Sequence, residues 1–492
     1  MKQKIIIVGA GSSGLLIAKN LSSIANVEVF EKAGNKSIPI FYRMPLMIGL
    51  WLGKKTNTFN IENINSKSER LIPFFRSNVI GGSSEINGCV HAMGDFKKWK
   101  TFLKKFKFCT TDLMEAYNKI FSFKNEKGKI NLKTSSFDNL DSCFLSALKR
   151  ISVEKGNIEW GNTPRANSII NNVGRLFRSS ILDLVKIKNL AIHSQSDVEA
   201  LLTNEKGNVI GIKSNGVSIY SNKVILCAGV IGTNRILLNT VTNGWKLPNK
   251  IKSLIGKEIG DHTNLRINVK ANFPVNSLNE ISNNILTKFS LLFNHLIGKK
   301  TLMRGTGATS CAHLDLDNDG VVDTRINLLR FFEIGRFGAA GNLFSSPKPG
   351  FSLSITHIHP TSRGEINQNK ISPNYLYTKK DRSHLSNALK FVYDFLQQPI
   401  FSKFIKEIEK ASEIKNESEY YIDNNFFSGY HLIGGTHKIL NDDFSVKHTK
   451  NLFVCDASIF KEFLSSNIHS PVLVAAELFS RRFAVILSSE KS

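Results

Sequence analysis

Residues 4–14, KIIIVGAGSSG, decide the fold of this chain. A β-branched run short enough for a buried parallel strand leads directly into three glycines, Gly9, Gly11 and Gly14. The residues that follow have the apolar spacing of a helix, and a second apolar run ends at Glu31. Strand, glycines, helix, strand and acidic residue, in that order, predict a Rossmann-type βαβ unit that binds a dinucleotide.

Each part of this unit has a physical role. Gly9 permits the tight turn, Gly11 lets the backbone approach a pyrophosphate, and Gly14 lets the helix lie close to the strand. The helix N-terminus offers free N–H groups and the positive end of its dipole to the phosphates. Glu31 is placed to accept a hydrogen bond from a ribose hydroxyl, and its charge disfavours a 2′-phosphate.

Length and composition set the broad class. A chain of 492 residues is too long for one ordinary core, and 41% hydrophobic with 21% charged residues is typical of a globular protein. No run of about 20 apolar residues occurs, so we expect no segment that spans a bilayer. Because the apolar N-terminal stretch carries the glycine fingerprint that the mature protein needs, we expect an unprocessed cytoplasmic protein. Six scattered cysteines without a CxxC pair argue against a zinc site and a disulfide framework, and we predict no metal.

The formal net charge is +25. No nucleic-acid-binding motif accompanies it, so we expect a solvated basic surface and no nucleic-acid partner. Any membrane association would rest on this basic surface alone.

Glycine-rich and strand-like segments recur along the chain. Residues 78–88 read NVIGGSSEING, and residues 223–229 read as a buried strand that enters a glycine turn. Near the end, a strand over 451–458 reaches Asp456, and residues 465–471 open a helix. With the G-x-x-x-x-DH step that ends at Asp261 and His262, the chain resembles the glucose–methanol–choline (GMC) oxidoreductase family from residue 4 to about 485.

The resemblance implies an α/β fold. A Rossmann-like FAD-binding domain would comprise residues 1–262 and 425–492, with cap segments near 40–75 and 100–165. A second, α+β substrate domain over 263–424 would be built on an antiparallel sheet, with strands such as 351–359 and helical stretches around 384–412. No repeat or linker separates the two, so they must be built from interleaved segments.

The resemblance also assigns FAD-binding roles to matching residues. The ADP half would be bound by Gly9, Gly11, Gly14 and Glu31, and the adenine by the backbone of Val198. The pyrophosphate and isoalloxazine would be lined by Gly81, Gly82, Ser83 and Asn87. The phosphates and ribitol would meet Asp456 and Ala457, and the flavin pyrimidine edge would lie near Pro471 at the start of the last helix. Ile86 stands where some relatives carry the histidine that links FAD, so we predict non-covalent FAD.

The catalytic residues follow from residues 430–437, YHLIGGTH. The family places a His beside the flavin with an Asn or second His as partner, and its usual spacing is H-x-x-G-T. Alignment on Gly435 and Thr436 puts the base at Leu432, whereas alignment on Gly434 puts it at His431. We predict His431 as the general base that accepts the hydroxyl proton and Asn467 as its partner, with hydride transfer from a CH–OH group of an alcohol or sugar to flavin N5. His437 and His469 are the next candidates.

Two other functions are open. The family's fatty acid photodecarboxylases use light, a Cys and an Arg near the flavin, and Cys311 and Arg330 match that pair; a retained Asn467 favours the oxidoreductase. A flavoprotein without turnover is the third possibility. Whichever holds, the partner is a small molecule, with an unknown electron acceptor for the oxidoreductase.

Two further segments carry polar residues with a possible function. Residues 315–320 match the first half of an EF-hand loop, but the twelfth position is Ile326, so we predict a hairpin turn. His357 and His359 share one face of a strand and would contact substrate or face solvent.

Overall fold

The computed structural model describes residues 2–34, 38–47, 56–62, 71–124, 126–134, 138–154, 166–168, 170–171, 176–282, 284–333, 349–368 and 370–490. The strands, in chain order, are β1 Lys4–Val8, β2 Asn26–Phe30, β3 Thr56–Glu62, β4 Leu71–Ser77, β5 Phe121–Ser122, β6 Ile130–Asn131, β7 Lys133–Thr134, β8 Ala166–Ser168, β9 Ile170–Asn171, β10 Ala191–His193, β11 Val198–Thr203, β12 Val209–Ser214, β13 Val217–Tyr220, β14 Lys223–Leu226, β15 Lys257–Gly260, β16 Thr263–Ala271, β17 Ala308–Leu314, β18 Thr324–Leu329, β19 Gly350–His357, β20 Gly364–Ile366, β21 Ile371–Ser372, β22 Ile405–Ile408, β23 Phe427–Ser428, β24 Ile433–Gly435 and β25 Leu452–Val454.

The helices, in chain order, are α1 Ser12–Leu21, α2 Phe96–Phe106, α3 Thr110–Ile120, α4 Asn139–Glu154, α5 Ile181–Leu184, α6 Gly229–Thr242, α7 Asn249–Lys252, α8 Leu278–Ser282, α9 Ile285–Leu296, α10 Lys379–Leu396, α11 Pro399–Ser402, α12 Ala411–Asn416, α13 Ser418–Asn425 and α14 His469–Ser489. Among the described residues, no helix is both long enough and apolar enough to cross a membrane.

A parallel sheet of five strands holds the N-terminal unit. Its order is β10-β2-β1-β14-β25, and all four pairings are parallel. The three central isoleucines of β1 are fully buried because the sheet is covered on both faces. Gly9, at the end of β1, has a φ of 106°, the left-handed conformation that the turn into α1 requires. The predicted strand–glycine–helix–strand unit is confirmed.

An antiparallel sheet forms the second layer. Its order is β22-β16-β19-β18-β17-β8, with β23 also paired to β16. Alternate residues separate its two faces: Ile326 and Leu328 of β18 enter an apolar core with Leu353 and Ile355 of β19, whereas the residues between them face the other way. The fold class predicted from the sequence, Rossmann-like unit plus antiparallel sheet, is confirmed.

Each of the two sheets packs on its own large hydrophobic core. β16 begins at Thr263, the first residue of the predicted second domain. Within the predicted cap segment near 100–165, α2 and α3 pack on the first core, but Phe144 of α4 packs on the second. The division into domains stays a prediction.

Two details differ from the predictions. Residues 405–408 form the strand β22 at the edge of the antiparallel sheet, not a helix, because pairing with Val269–Ala271 overrides local helix propensity. The last helix begins at His469, so Pro471 lies inside its first turn, where a missing N–H costs nothing. Residues 315–323 do form the hairpin turn between β17 and β18, with carboxylates that accept backbone N–H groups of the same turn.

Candidate functional site

A cavity of about 750 Å³ lies where the two sheets meet. The carboxyl ends of β1, β2 and β14 contribute Gly9, Glu31 and Ala228, and the antiparallel sheet contributes polar residues from β16, β18 and β19. The crevice at the carboxyl ends of parallel strands is where open α/β sheets bind their ligands. The volume falls in the upper part of the range for small-molecule sites, roughly 300–1,000 Å³.

Most of the residues predicted to bind FAD line this cavity. Those that do are Gly9, Gly11, Glu31, Gly82, Ser83, Asn87, Val198, Asp456 and Ala457. Three others do not line it, namely Gly14, Gly81 and Pro471. Gly81 donates its N–H to Ala10 O at 2.9 Å and so joins the two glycine loops. A Cβ on Gly14 would collide with Gly9 O, so only glycine lets α1 pack this closely against the turn.

The carboxylate of Glu31 braces the glycine turn and faces the cavity as well. Its Oε2 accepts from Ala10 N at 2.7 Å, and its Oε1 accepts from Ala33 N at 2.8 Å. Each oxygen keeps a second lone pair for a ribose hydroxyl.

Three cations that the sequence analysis missed line the same end of the cavity: Lys32, Arg76 and Arg235. Burial lowers the pKa of both Lys32 and Arg76, and their neighbouring charges include Glu31 and Asp197. Gly11 is the N-cap residue of α1 and offers no capping side chain, so the first N–H groups of the helix are open to an anion. Cations around an uncapped helix start fit the diphosphate of FAD.

A buried arginine holds the second glycine loop in place. Arg178 donates to Glu85 O at 2.5 Å and to Asn87 O at 2.8 Å, and it also contacts Asn87 Oδ1. Nothing in the local sequence of Arg178 signals this contact, because about 90 residues separate it from the loop. Asn87 is therefore fixed in orientation at the cavity wall.

Asp456 caps the helix that follows β14. Its carboxylate accepts from Gly229 N at 3.0 Å, Thr233 Oγ1 at 2.5 Å and Ser458 N at 2.8 Å. Burial raises the pKa of this carboxyl. Instead of Pro471, which is buried, its neighbours Ile468, His469 and Val472 line the cavity from the start of α14.

His431 and Asn467 meet at the cavity wall. Asn467 Nδ2 lies 3.2 Å from His431 Nε2, and the Arg325 guanidinium donates to Asn467 Oδ1. Because Oδ1 accepts from the arginine, the amide presents its N–H₂ to His431, whose Nε2 must then be the acceptor. His431 therefore carries its proton on Nδ1, which lies 2.9 Å from His262 Nδ1. Leu432 also lines the cavity, but it packs on the second core.

The carboxylate of Asp261 positions the loop that bears His431. It accepts from His431 N at 2.7 Å and Ser428 Oγ at 2.5 Å, and also from the Tyr375 hydroxyl. Burial raises the pKa of Asp261 to about 6. Tyr430 has a left-handed φ of 61°, and the turn it makes accommodates the extra residue before the double glycine.

Burial and charge keep His431 neutral. Burial in the cavity wall, followed by the positive charge of Arg325, lowers the pKa of His431 to about 3. Arg325 is itself buried, which lowers its pKa to about 10, and no carboxylate of the described residues pairs with it. An arginine inside the alternating run 324–329, TRINLL, was the signal that could have revealed it.

The other candidate histidines lie elsewhere, with one exception. His437 contacts Glu258 at 3.1 Å, away from the cavity. His357 and His359 neither face solvent nor line the cavity: both are mostly buried, against Asp381 at 3.3 Å and Ser465 Oγ at 2.6 Å. His469 does line the cavity, and burial lowers its pKa to about 4.

The pair matched to photodecarboxylases is not at the cavity wall. Arg330 is fully buried in an ion pair with Asp138, and it also donates to Val275 O. Cys311 is buried and does not line the cavity, and burial raises the pKa of its thiol to about 12. This placement does not support the alternative in which strands bring both to the flavin face, because Cys311 and Arg330 pack into the protein instead.

Known proteins with a similar sequence or fold are flavin-type oxidoreductases of the GMC class. The model of the family described as GMC oxidoreductase matches residues 356–476. An oxygen-dependent choline dehydrogenase of Vibrio vulnificus (strain YJ016) is 24% identical over 536 residues, which cover 96% of this chain and 92% of that enzyme. These matches support the predicted resemblance to the GMC oxidoreductase family. Among solved GMC-type structures, pyridoxine 4-oxidase from Mesorbium loti has a TM-score of 0.80 at 18% identity over 98% of this chain and 99% of its own. Formate oxidase of Aspergillus oryzae RIB40, as its R554A variant, has a TM-score of 0.82 at 16% identity over 98% of each chain.

These relatives support an FAD-dependent enzyme that oxidises alcohol-type small molecules.

Proposed function

We propose that this protein oxidises a CH–OH group with His431 as general base and Asn467 as its partner. The observation that carries the proposal is the pair of contacts at the cavity wall, Asn467 Nδ2 to His431 Nε2 at 3.2 Å and Arg325 to Asn467 Oδ1. A neutral imidazole with an oriented lone pair and an amide that cannot titrate are the two groups an alcohol hydroxyl needs.

FAD would be held without a covalent bond. Gly9, Gly11 and Glu31 would bind its ADP half, with Lys32 and Arg76 beside the diphosphate. Ile86, also in the wall, has no nucleophilic atom for a bond to the flavin ring. The bound FAD supplies the hydride acceptor.

The proton would move from the substrate hydroxyl to His431 Nε2. In the structure this atom accepts from the amide of Asn467. A substrate hydroxyl bound between the two side chains would donate to His431 Nε2 and accept from Asn467 Nδ2. Because burial and the charge of Arg325 lower its pKa to about 3, the imidazole is neutral and its Nε2 lone pair can accept the proton. Contact of His431 N with Asp261 holds the ring in this position.

Arg325 would select among substrates by their charge. A buried guanidinium that no carboxylate of the described residues neutralises would stabilise negative charge that develops on the reacting oxygen. The same charge opposes a cation, so choline, named for several relatives, fits this wall poorly. We propose a neutral or anionic alcohol.

The test is anaerobic mixing of the holoenzyme with a panel of alcohols, sugars and hydroxy acids in the dark. Loss of the flavin absorbance with at least one of them is expected. His431→Ala should slow that loss at least about 100-fold while FAD stays bound. The matched control is Leu432→Met, one residue along the same wall, which should react at nearly the normal rate.

Near-normal reduction by His431→Ala would overturn the base assignment. Failure of the whole panel, with CO₂ release from a fatty acid under blue light, would overturn the oxidoreductase. For the cofactor, denatured and filtered holoenzyme should release its yellow colour into the filtrate; colour retained on the protein would refute non-covalent FAD.

A further inference from the structure

One helix turns its apolar face to solvent. In α9 and the residue after it, six large apolar side chains are 46% to 74% exposed: Ile285, Leu286, Phe289, Phe293, Leu296 and Ile297. At 100° per residue, all six fall within an arc of about 120°. Isolated exposed apolar residues are ordinary, but a contiguous set on one helix marks a surface that meets a partner.

The opposite side of α9 is fixed to the protein. His295 is fully buried with Nε2 2.8 Å from Leu176 O, and Leu291 packs on an apolar cluster. Asn284 caps the helix by accepting from Leu286 N at 2.9 Å and Thr287 N at 3.3 Å. The exposed face is therefore held rigidly outward and cannot turn inward without breaking these contacts.

The segment that carries this face is basic. Residues 281–314 contain Lys288, Lys299, Lys300 and Arg304 and no acidic residue, and the three lysines are exposed. The whole chain adds a net charge of +25. An apolar helix face bordered by lysines is the arrangement of helices that lie in the interface of an anionic bilayer.

We propose that α9 is a membrane-docking helix that inserts Phe289 and Phe293 into the surface of an anionic lipid bilayer. A second copy of the chain is a poorer occupant, because a symmetric pairing of this face would bring the lysines of both copies together, and residues 281–314 contain no carboxylate to pair with them. The amino-acid composition predicts membrane association only through basic charge; the exposed face of α9 adds apolar insertion.

Docking through α9 would also place the cavity near the lipid. The cluster beneath Leu291 includes Ala308, Leu329 and Phe331, and these three residues line the cavity. The apolar side of the cavity wall is thus separated from the docked surface by a single helix.

The experiment is flotation of the holoenzyme with vesicles of phosphatidylcholine, with and without phosphatidylglycerol. Wild type should float with the anionic vesicles and part of it should stay bound at high salt. Phe289→Ser/Phe293→Ser should lower the bound fraction at least about 10-fold at either salt concentration. Lys288→Gln/Lys299→Gln/Lys300→Gln should lose the preference for anionic lipid.

The matched control is Val217→Ser/Tyr220→Ser, which removes two equally exposed apolar side chains from β13 and should bind like wild type. Bound FAD and dark reduction by a water-soluble substrate should be unchanged in all variants, which shows that they fold. The proposal is overturned if wild type stays with the buffer, if the Phe289/Phe293 variant floats like wild type, or if that variant instead abolishes a concentration-dependent dimer.

Discussion

Nδ1 of His431 lies 2.9 Å from Nδ1 of His262, and the two rings meet edge to face. Because Asn467 donates to Nε2 of His431, the proton lies on Nδ1 of His431 and Nδ1 of His262 accepts it. His262 is fully buried, which lowers its pKa well below the usual value, and its Nε2 has no hydrogen-bond partner among the described residues. The second histidine thus fixes the tautomer of the first.

We predict that His262→Phe lowers kcat about 10- to 100-fold with little change in KM, because His431 loses the acceptor that keeps its Nε2 lone pair toward the substrate. His262→Gln, whose amide oxygen can accept the same proton, should recover part of the loss. Rapid anaerobic reduction of the flavin measures both. Equal rates for wild type and His262→Phe would show that the contact is structural only.

Asp261→Asn should lower kcat about 10-fold, because an amide cannot accept from His431 N, Ser428 and Tyr375 at once and one buried donor loses its partner. Tyr375→Phe, which removes one donor and leaves the carboxylate, should have a smaller effect.

The pH profile distinguishes this role. Because the folded pKa of Asp261 is raised to about 6, protonation below that pH weakens the same contacts, so kcat should fall on the acid side. The variant should lack that acid limb. A profile with the same limb in wild type and Asp261→Asn would contradict the assignment.

Arg325→Met should reverse the charge preference of the enzyme. We expect kcat/KM for an anionic alcohol to fall about 10- to 100-fold and the ratio for choline over a neutral alcohol to rise, since the buried cation is removed. Arg325→Lys keeps the charge and should keep the order of preference. Steady-state assays with matched anionic, neutral and cationic alcohols measure this; an unchanged order in Arg325→Met would refute it.

The free energy of unfolding should fall from pH 7 to pH 5. Burial lowers the pKa of His313, His384 and His431 to about 3 and of His469 to about 4, whereas unfolded histidines titrate near 6.5. Below pH 6.5 the unfolded chain therefore binds protons that the folded chain does not, which costs up to about 1.4 kcal/mol per pH unit for each histidine.

Two carboxyls act in the opposite direction over part of this range. The pKa of Asp261 is raised to about 6 and that of Asp323 to about 7, so the folded chain holds protons there that the unfolded chain releases. The buried histidines outnumber them, and the net effect is loss of stability toward acid. Urea unfolding of the holoenzyme at both pH values measures it, and His384→Asn should flatten the dependence. Equal stability at pH 7 and pH 5 would contradict this balance.

The sequence could predict the parts of the site that depend on local backbone. Gly9, Gly11 and Glu31 stand at fixed offsets from one strand, so their convergence follows from the βαβ unit itself. His431 and Asn467 were predicted from a resemblance, and the structure brings them into contact. Choosing between His431 and Leu432 needed the turn at Tyr430, whose left-handed backbone no spacing rule reveals.

Most of the residues that the sequence could not predict are single arginines that tertiary structure brings to the site. Arg76 and Arg235 line the cavity from β4 and α6, and Arg178 holds Asn87 of the cavity wall in place; all three sit in segments without a motif. Arg325 and Arg330 show the same limit: both lie on or just after β18, and only the pleat decides that Arg325 faces the cavity while Arg330 pairs with Asp138.

The order of the parallel sheet also constrains synthesis of the protein. Four of its strands come from the first 226 residues, but β25 comes from 452–454, and Ser13 in the first helix donates to Cys455 O. The sheet around the glycine turn therefore cannot be completed until almost the whole polypeptide has been translated. FAD capture is expected to be a late, largely post-translational event, and the unfinished sheet edge at β14 is the surface that a chaperone would need to protect in the meantime.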